Sequence, residues 1–324
     1  MPHAIRIHQP GGPEAMVYDE VAVGAPGAGQ ARVRHTAIGV NYIDTYHRSG
    51  LYPLPLPAGI GSEAAGVVEA VGEGVDWVKP GDRVAYCVGA PGAYSTERVM
   101  PADRLVKVPD GIDDVTAATL MLKGLTTQYL FRQTYPLKAG ETILFHAAAG
   151  GVGLIACQWA RALGVTMIGT VGSDEKAALA RANGCTHTIV YTREDFVART
   201  KELTGGKGVP VVYDGVGKDT FPASLDCLAP RGMFVSFGNA SGAVPPFNLL
   251  LLAQKGSLYA TRPTLAGYAT DRASTTRMAG ELFALVQEGK IRSEARQRFA
   301  LADAPAAHRA LEGRATTGAT VLIP

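Results

Sequence analysis

The sequence predicts an α/β protein in which a doubly wound parallel sheet is inserted into a β-rich domain. The first third consists of short apolar or alternating runs divided by glycine and proline, whereas strand-like and helix-like runs alternate from about Leu137. Repeated β-α-β units predict a parallel sheet with right-handed crossovers. Mixed segments return from about Arg262, so the C-terminal part is expected to complete the β-rich domain.

Four candidate strands lie in the β-rich part, and the first long helix follows them. The strands are expected at residues 31–38, 64–71, 83–88 and 94–101. Pro80-Gly81-Asp82 predicts a turn between two of these runs. The first helix of more than a few turns is expected at residues 115–130.

The alternating part is expected to supply the parallel sheet and its helices. The strands are predicted at residues 142–145, 166–171, 188–191, 210–214 and 233–237, with helices at 154–163, 175–182, 193–203 and 221–228. A later helix is predicted at residues 274–288. The pattern places one domain at residues 126–262 and the other at residues 1–125, completed by residues 263–324.

Composition favours a globular protein and argues against several other classes. Of the 324 residues, 47% are hydrophobic and 19% are charged, which suits two domains with sizeable cores. The 31 basic and 29 acidic residues leave a net charge of +2 without a dense basic run, so nucleic-acid binding is not indicated. No apolar run resembles a signal peptide or a membrane span. The four cysteines lie far apart, which predicts no disulfide framework and fits a cytoplasmic protein.

The most informative segment is the glycine-rich run His146-Ala147-Ala148-Ala149-Gly150-Gly151-Val152-Gly153, between a predicted strand and a predicted helix. Such a turn lets backbone N–H groups approach a pyrophosphate, and the helix N-terminus adds favourable positive potential. The spacing differs from the plain G-x-G-x-x-G, and a purely structural turn is the alternative. The order of strand, glycines and helix favours dinucleotide binding.

The end of the second strand of this domain bears on the choice between NAD and NADP. An NAD site usually has Asp or Glu there to hold the ribose 2′-hydroxyl, whereas this strand ends Gly172-Ser173-Asp174-Glu175-Lys176. Ser173 and Lys176 could bind a 2′-phosphate. Asp174 and Glu175 argue the other way, unless they point outward from the first turn of a helix. The segment favours NADPH, although Lys176 taken alone is more simply a solvated lysine on a helix surface.

Several segments together resemble the medium-chain dehydrogenase/reductase superfamily. They are Asn41-Tyr42-Ile43-Asp44, Gly61-Ser62-Glu63-Ala64-Ala65-Gly66, Lys123-Gly124-Leu125-Thr126 and the turn at residues 147–153. Within the superfamily, the chain resembles the ζ-crystallin-like, zinc-independent quinone oxidoreductases, which include the bacterial NADPH:quinone reductases. The resemblance runs nearly end to end, and it implies a GroES-like catalytic domain, a Rossmann domain and a homodimer.

The residues themselves argue against a catalytic zinc. Zinc-dependent relatives have Cys near the position of Asn41, and Gly-His-Glu where this chain has Gly61-Ser62-Glu63. A catalytic zinc needs thiolate, imidazole or carboxylate ligands. Since Asn41 and Ser62 cannot replace the cysteine and the histidine, no metal site is expected.

The resemblance implies that Asn41, Tyr46 and Tyr52 lie beside the nicotinamide. Their amide and hydroxyl groups would donate hydrogen bonds to the charge that develops on a quinone oxygen. From the residues alone, each tyrosine is more simply a half-buried residue that packs on the core. Asp44 is expected to be a structural hydrogen-bonding partner rather than a general base. His47 could donate a proton on spacing alone, but a surface histidine is the favoured interpretation.

The resemblance also implies the residues that hold NADPH. Thr126 would lie near the nicotinamide or its ribose, and Gly150, Gly151 and Val152 would hold the pyrophosphate. The other expected contacts are Gly172, Ser173, Lys176 and Tyr191 around the 2′-phosphate, Phe237, Gly238, Asn239 and Ser241 on the nicotinamide side, and Arg314 at a phosphate. For Lys123, a role in the site and a helix-cap role both stay open.

The leading hypothesis is an NADPH-dependent quinone oxidoreductase that reduces small quinones by hydride or electron transfer without a metal. An NADPH-dependent reductase of enone or alkenal double bonds would use the same hydride and the same donors. A third hypothesis, of another class, is a crystallin-like cofactor-binding protein or an RNA-binding protein. The near-neutral charge disfavours RNA binding.

Overall fold

The computed structural model describes residues 1–324 in full, and the chain divides into two compact units. Unit 1 comprises Met1–Leu125, Tyr268–Glu288 and Ser293–Pro324, and unit 2 comprises Thr126–Gly267 and Gly289–Arg292. Each unit has its own hydrophobic core.

The strands and helices follow in chain order. The strands are β1 (His3–Ile7), β2 (Met16–Glu20), β3 (Gln30–Val40), β4 (Ala58–Gly59), β5 (Glu63–Val71), β6 (Arg83–Tyr86), β7 (Glu97–Pro101), β8 (Val106–Lys107), β9 (Thr142–Phe145), β10 (Thr166–Val171), β11 (His187–Val190), β12 (Val209–Asp214), β13 (Leu228–Ser236), β14 (Tyr259–Thr261), β15 (Ala295–Ala300) and β16 (Ala319–Ile323). The helices are α1 (Tyr42–Ser49), α2 (Asp114–Tyr129), α3 (Gly151–Ala162), α4 (Asp174–Ala182), α5 (Phe196–Leu203), α6 (Ala223–Asp226), α7 (Leu250–Gln254), α8 (Arg272–Gln287) and α9 (Ala304–Glu312).

Unit 1 is built on a seven-stranded sheet and a small three-stranded sheet. The larger sheet has the order β15-β16-β3-β5-β6-β8, and β7 also pairs with β3. The smaller sheet has the order β2-β1-β4. Side chains on β3 alternate, since Ala31 and Val33 are fully buried whereas Arg34 is exposed. This alternation is typical of a sheet that covers a core with one face.

Unit 2 contains a six-stranded sheet in which every neighbouring pair of strands is parallel. Its order is β11-β10-β9-β12-β13-β14, so the direction of strand addition reverses between β9 and β12. The central strands are apolar along nearly their whole length, as expected for strands covered on both faces. In doubly wound sheets of this order, ligands bind outside the carboxyl ends of the strands at the reversal point.

The predicted combination of a β-rich part and a doubly wound parallel sheet is confirmed. Two helices predicted in unit 2 are shorter than expected. The helix predicted at 193–203 begins only at Phe196, because the Asp195 carboxylate accepts the N–H groups of Val197 and Ala198 and so caps α5 there. The helix predicted at 221–228 shrinks to α6, because Leu228 already pairs with Val209 at the start of β13. The strand predicted at 94–101 is shortened to β7.

Candidate functional site

The glycine-rich turn joins β9 to α3 at the reversal point of the sheet. Gly150 is the N-cap residue of α3, and no side chain caps this helix end. The first backbone N–H groups of α3 therefore have no acceptor within the helix. A Cβ at Gly153 would lie 2.4 Å from the carbonyl oxygen of Ala147, so glycine allows α3 to start close against the turn. The predicted pyrophosphate residues Gly151 and Val152 form the first turn of α3, where an anion is favoured.

His146 anchors this turn from the interior of unit 2. Ser224 donates to Asp214 Oδ2 at 3.0 Å, so its Oγ accepts the Nε2–H of His146, also at 3.0 Å. The other ring nitrogen, Nδ1, lies 2.9 Å from the hydroxyl of Thr170 and accepts its hydrogen. Burial lowers the pKa of His146, so the ring is a neutral anchor rather than a reactive group.

The four residues predicted to surround a 2′-phosphate lie at the carboxyl end of β10 and the start of α4. Ser173 is the N-cap residue of α4, and its Oγ accepts the Lys176 backbone N–H at 3.3 Å. The Tyr191 hydroxyl lies 3.0 Å from the position that a Cβ at Gly172 would take. The structure thus brings Gly172 and Tyr191 together beside a helix N-terminus, with Lys176 in its first turn.

Asp174, which the sequence suggested as a source of repulsion for a phosphate, is paired with a cation. The Arg193 guanidinium donates to both carboxylate oxygens of Asp174, with two N–O distances of 2.6 Å. This contact lowers the pKa of Asp174. Arg193 was not among the predicted residues, and its charge reduces the repulsion that Asp174 would exert on a nearby phosphate.

The residues after β13 pack closely against the segment after β12. A Cβ at Gly238 would lie 2.5 Å from the carbonyl oxygen of Gly215, so a larger residue would push the two segments apart. The Phe237 ring packs on Phe145 at the end of β9, with 5.5 Å between ring centroids. These contacts place Phe237 and Gly238 at the same sheet edge as the glycine-rich turn.

Ser241 and Asn239 belong to the same loop. The Ser241 hydroxyl donates to the carbonyl oxygen of Val216 at 2.9 Å and accepts the Asp219 N–H at 3.0 Å. Asn239 accepts the backbone N–H of Gly242 at 3.0 Å through its carbonyl oxygen. Ser241 therefore holds the loop in shape, and its side chain is already engaged within unit 2.

The last two predicted cofactor residues lie in other parts of the chain. Thr126 lies in α2 and is buried. Arg314 follows α9, is exposed and has φ 56°, and its N–H donates to the carbonyl oxygen of Leu311 at 3.1 Å.

In unit 1, Asn41 forms the N-cap of α1 and is held by a buried ion pair. Lys123 Nζ donates to Asn41 Oδ1 at 2.8 Å and to Glu63 Oε2 at 3.0 Å. Since an ammonium group can only donate, the amide orientation is fixed, and Asn41 Nδ2 donates to Glu63 at 2.9 Å and to the carbonyl oxygen of Gly39 at 3.4 Å. The amide hydrogens that were expected to reach a quinone oxygen thus point to protein acceptors. Lys123 lies within α2 and not at its end, which decides against a helix-cap role.

Asp44 is fully buried and accepts hydrogen bonds from three donors in unit 1. They are the Asn41 backbone N–H at 2.9 Å, the Ser62 hydroxyl at 2.8 Å and the Tyr94 hydroxyl at 3.0 Å. Burial raises the pKa of Asp44 to about 6, although the hydrogen bonds oppose that shift. The interpretation of Asp44 as a hydrogen-bonding partner agrees with these contacts.

A chain of polar contacts continues from Tyr94 to the surface. Arg48 Nη1 lies 3.1 Å from His308 Nδ1 and donates to it, so the neutral imidazole carries its hydrogen on Nε2. That Nε2–H donates to the Tyr94 oxygen at 3.0 Å. Arg48 also donates to both carboxylate oxygens of Glu312, at 2.9 and 2.7 Å. Burial and the nearby Arg48 charge lower the pKa of His308 to about 3.

The two predicted tyrosines are neighbours near the C-terminal end of α1. The Tyr46 and Tyr52 rings meet edge to face, with 5.3 Å between centroids, and the Tyr52 N–H donates to the Tyr46 carbonyl oxygen at 3.0 Å. Tyr46 is buried and Tyr52 is half-buried. His47 packs on Tyr52 and is half-buried, and burial lowers its pKa. The expectation of a surface histidine is therefore only partly correct.

The structure holds no group of three or more His, Cys, Asp or Glu residues arranged to bind a metal ion. Asn41 and Ser62, which stand where zinc-dependent relatives have ligands, both take part in the hydrogen bonds described above. None of the helices combines the length and apolar character that crossing a bilayer requires.

Family profiles match separate parts of the chain. The alcohol dehydrogenase GroES-like domain matches residues 27–110, and the zinc-binding dehydrogenase profile matches residues 151–280. The first match lies within unit 1, which agrees with the GroES-like domain that the resemblance implies. The second begins at the first residue of α3.

Known proteins are similar along nearly their whole length. The chain is 61% identical over 315 residues to a quinone oxidoreductase of Pseudomonas aeruginosa, covering 97% of both chains. It is 51% identical over 326 residues to a 2-haloacrylate reductase of a Burkholderia species, covering 98% of both. The solved structure of Escherichia coli quinone oxidoreductase complexed with NADPH is 53% identical and has a TM-score of 0.98, over 99% of this chain and 100% of that one. The similarity extends over both units.

Proposed function

The chain belongs to the quinone oxidoreductase branch of the medium-chain dehydrogenase/reductase superfamily, and we propose that it is an NADPH-dependent enzyme that reduces small quinones without a metal. One observation carries this proposal. The residues suited to a 2′-phosphate lie at the end of β10, the strand next to the one that leads into the glycine-rich turn, in a chain that is 53% identical to an enzyme solved with NADPH.

The residues present fit NADPH. The start of α3 offers uncapped N–H groups to the pyrophosphate, and Ser173, Lys176 and Tyr191 offer a hydroxyl, a cation and a phenol to the 2′-phosphate. Thr126, Arg314 and the loop after β13 are the other proposed contacts. Bound NADPH supplies hydride chemistry. The protein holds the cofactor, excludes water and positions the substrate.

We assign the quinone to the surface around the start and end of α1. The half-buried Tyr52 ring, which meets the buried Tyr46 ring edge to face, is suited to contact a flat apolar ring. Asn41 is kept in one orientation by Lys123 and Glu63, so its role is to shape the site. Hydrogen-bond donors in such a site would stabilise charge that develops on a substrate oxygen.

A second candidate function is the reduction of activated carbon–carbon double bonds. The observation in its favour is the 51% identity to the 2-haloacrylate reductase. A hydride added to such a double bond leaves negative charge on a conjugated oxygen, so the same donors would serve both substrates.

The test is a comparison of initial rates of NADPH oxidation with a small ortho-quinone, a para-quinone and a linear enal. We expect the initial rate with either quinone to exceed the rate with the enal. We also expect the rate with NADPH to exceed the rate with NADH. Much faster turnover of the enal would favour double-bond reduction. RNA retention at physiological salt without quinone turnover would favour the nucleic-acid hypothesis.

We further propose a homodimer that forms through the exposed edge of the unit 2 sheet. β14 is one of the two edge strands of this sheet, and Tyr259 on it is 59% exposed. Leu249 and Leu250 are 73% and 58% exposed in the same unit. An unpaired strand edge and exposed large apolar side chains favour association with a second copy. A cytoplasmic location stays the interpretation of the four buried cysteines.

A further inference from the structure

Among the carboxylates Asp44, Glu63 and Glu312 of unit 1, only Asp44 has no cation within hydrogen-bonding distance. Lys123 pairs with Glu63, and Arg48 pairs with Glu312. Asp44 has only neutral donors within hydrogen-bonding distance, and its side chain is fully buried. An unpaired buried carboxylate binds a proton more readily than an exposed one.

The hydrogen bonds around Asp44 decide which oxygen can take that proton. Oδ2 accepts from the Asn41 backbone N–H, which cannot turn, and from the Tyr94 hydroxyl. Because the His308 Nε2–H occupies the Tyr94 oxygen, the Tyr94 hydrogen stays directed at Asp44. Oδ1 has only the Ser62 hydroxyl as its partner. A proton therefore enters at Oδ1.

Ser62 then has two states. When Asp44 is ionised, the Ser62 hydroxyl donates to Oδ1 at 2.8 Å. When Asp44 is protonated, Oδ1–H donates to the Ser62 oxygen, and the Ser62 hydrogen must turn away from Asp44. Ser62 is half-buried, whereas Asp44 is inaccessible, so Ser62 is the group that can reach a ligand.

We propose that Ser62 and Asp44 form a proton relay, in which Ser62 gives its hydroxyl proton to the reduced substrate oxygen and takes the Asp44 proton in its place. Ser62 is the catalytic residue of this relay, and Asp44 acts through it as a positioning residue. The relay rests on the proposed quinone reduction.

The chemistry balances with the reactants of that reaction. Oxidation of NADPH to NADP⁺ gives the quinone a hydride, that is one proton and two electrons. The product is a hydroquinone monoanion, which needs one proton to become the neutral hydroquinone. The O–H bond of Ser62 breaks as the substrate O–H bond forms, and the Asp44 O–H bond breaks as the Ser62 O–H bond is restored. Asp44 is left as a carboxylate and regains a proton from water.

That proton returns by the Ser62 side. The route through Tyr94 and His308 ends at Arg48, and a guanidinium does not release a proton in a protein. Tyr94 is the titratable group that contacts Asp44, and His308 contacts Tyr94 on its far side. The Lys123 charge acts on Asp44 from a greater distance and lowers its pKa slightly against the effect of burial. The raised pKa of Asp44, about 6, keeps a protonated fraction available near neutral pH.

The test compares Ser62→Ala, Ser62→Thr and Asp44→Asn on two quinones, one that gives a weakly acidic hydroquinone and a halogenated one that gives a strongly acidic hydroquinone. With the weakly acidic product, we expect kcat of Ser62→Ala and Asp44→Asn to fall about 100-fold, as for the loss of a general acid. Ser62→Thr keeps a hydroxyl and should recover most of the loss. With the halogenated quinone, whose product needs little help from an acid, the variants should stay close to the wild type.

The pH dependence adds a second readout. The wild-type kcat should fall as the pH rises above about 6, and that fall should be absent in Asp44→Asn. The relay is overturned if Ser62→Ala and Ser62→Thr lose activity equally, or if the loss is the same with both quinones. It is also overturned if Ser62→Ala matches the wild type.

Infrared titration of the protein without cofactor separates this proposal from the proposed function. A carboxylic acid C=O band should appear between pH 7 and pH 5 in the wild type and be missing in Asp44→Asn. If this band never appears, Asp44 does not hold a proton and the relay fails. If the band appears but the wild type turns over no quinone, the proposed function fails, and a relay for quinone fails with it.

Discussion

At the scale of single residues, the buried ion pair between Lys123 and Glu63 dominates the unit 1 site. The two charged side chains are 5% and 0% exposed, and each also contacts Asn41. Glu63 Oε1 further accepts the Leu122 N–H at 2.7 Å. Removing one partner of such a pair leaves an uncompensated charge in the interior, which costs more than the pair itself contributes.

We therefore expect Lys123→Met to destabilise the protein by about 3–5 kcal/mol. Urea denaturation followed by far-UV circular dichroism would measure the loss. The double variant Lys123→Met/Glu63→Gln should recover part of it, because it removes the orphaned charge. A loss below about 1 kcal/mol in the single variant would show that water or another cation reaches Glu63.

The choice of cofactor also depends on single residues. Replacing Lys176 by Glu puts a negative charge in the first turn of α4, where a 2′-phosphate is proposed to bind. The loss of a charge-assisted hydrogen bond should raise the Kd for NADPH about 10- to 100-fold, with little change for NADH. Fluorescence titration of each cofactor would measure both constants.

Lys207→Glu is the matched control, since Lys207 is exposed elsewhere in unit 2. It makes the same change in net charge and should leave the preference for NADPH intact. An equal loss of NADPH and NADH affinity in Lys176→Glu would remove Lys176 from the phosphate site.

At the scale of elements, the sequence predicted the strands and helices that a short run of neighbouring residues specifies. The parallel strands of unit 2 are short apolar runs between glycine or polar breaks, and β9, β10, β11 and β12 lie within one or two residues of their predicted bounds. The strands β15 and β16 and the helix α9 were expected only as mixed segments. β15 has alternating half-buried and exposed side chains, and its pairing with β16 is a contact that no local pattern specifies.

The candidate site shows the same limit. The glycine-rich segment after β9 and the helix that follows Ser173 are local features, and both occur near their predicted positions, although α3 begins at Gly151 and not at the predicted residue 154. The partners of Asn41 and Asp44 come from residues far away in the chain, such as Lys123 and His308. Neither spacing nor composition brings such residues together, so the direction of the Asn41 amide could not be deduced from the sequence.

The start of α3 offers a test of an element rather than of a side chain. At Gly153 a Cβ would lie 2.4 Å from Ala147 O and 2.6 Å from the Ala148 carbonyl group, and both are backbone. Gly153→Ala should therefore shift α3 away from the turn and weaken NADPH and NADH alike. Isothermal titration calorimetry would measure both affinities.

Gly280→Ala serves as the control for Gly153→Ala. Gly280 is exposed within α8, and an added Cβ there meets no atom within 4 Å. This substitution should stabilise the protein by about 0.5–1 kcal/mol and leave cofactor binding unchanged. Unchanged cofactor affinity in Gly153→Ala would contradict the close packing of α3 on the turn.

At the scale of the whole molecule, two buried histidines of unit 1 make the protein sensitive to acid. Burial lowers the pKa of His35 to about 4, and the pKa of His308 lies at about 3. A histidine with a depressed pKa contributes stability above its unfolded pKa of 6.5, and that contribution is lost as the pH falls through the folded value. Asp44, with its raised pKa, has the opposite effect: its protonation stabilises the folded protein as the pH falls below about 6.

We expect the free energy of unfolding to fall by several kcal/mol between pH 6.5 and pH 4, because the two histidines outweigh Asp44. His35→Asn keeps a donor for the carbonyl oxygen of Ser95, which His35 Nδ1 contacts at 2.7 Å. Denaturant titrations at a series of pH values would give the free energy of unfolding at each pH. This free energy should change less steeply with pH in the variant than in the wild type. Substitution of the exposed His187 by Asn should leave the pH dependence of the free energy of unfolding as in the wild type. An unchanged pH dependence in His35→Asn would show that His35 does not cause the acid sensitivity.

The proposed dimer is the last property that depends on the molecule as a whole. β14 pairs with β13 on one side only, so its other edge can pair with a second copy of the chain. Tyr259→Lys would place a charge on that edge, and charged side chains on edge strands oppose pairing. We expect the mass in solution, measured by light scattering after gel filtration, to fall from twice 33.9 kDa to 33.9 kDa.

The control is Val17→Lys, which makes the same kind of change on β2, an edge strand of unit 1. Val17 is 43% exposed, and this substitution should leave the dimer intact. A dimer that survives Tyr259→Lys but dissociates in Val17→Lys would move the interface to unit 1.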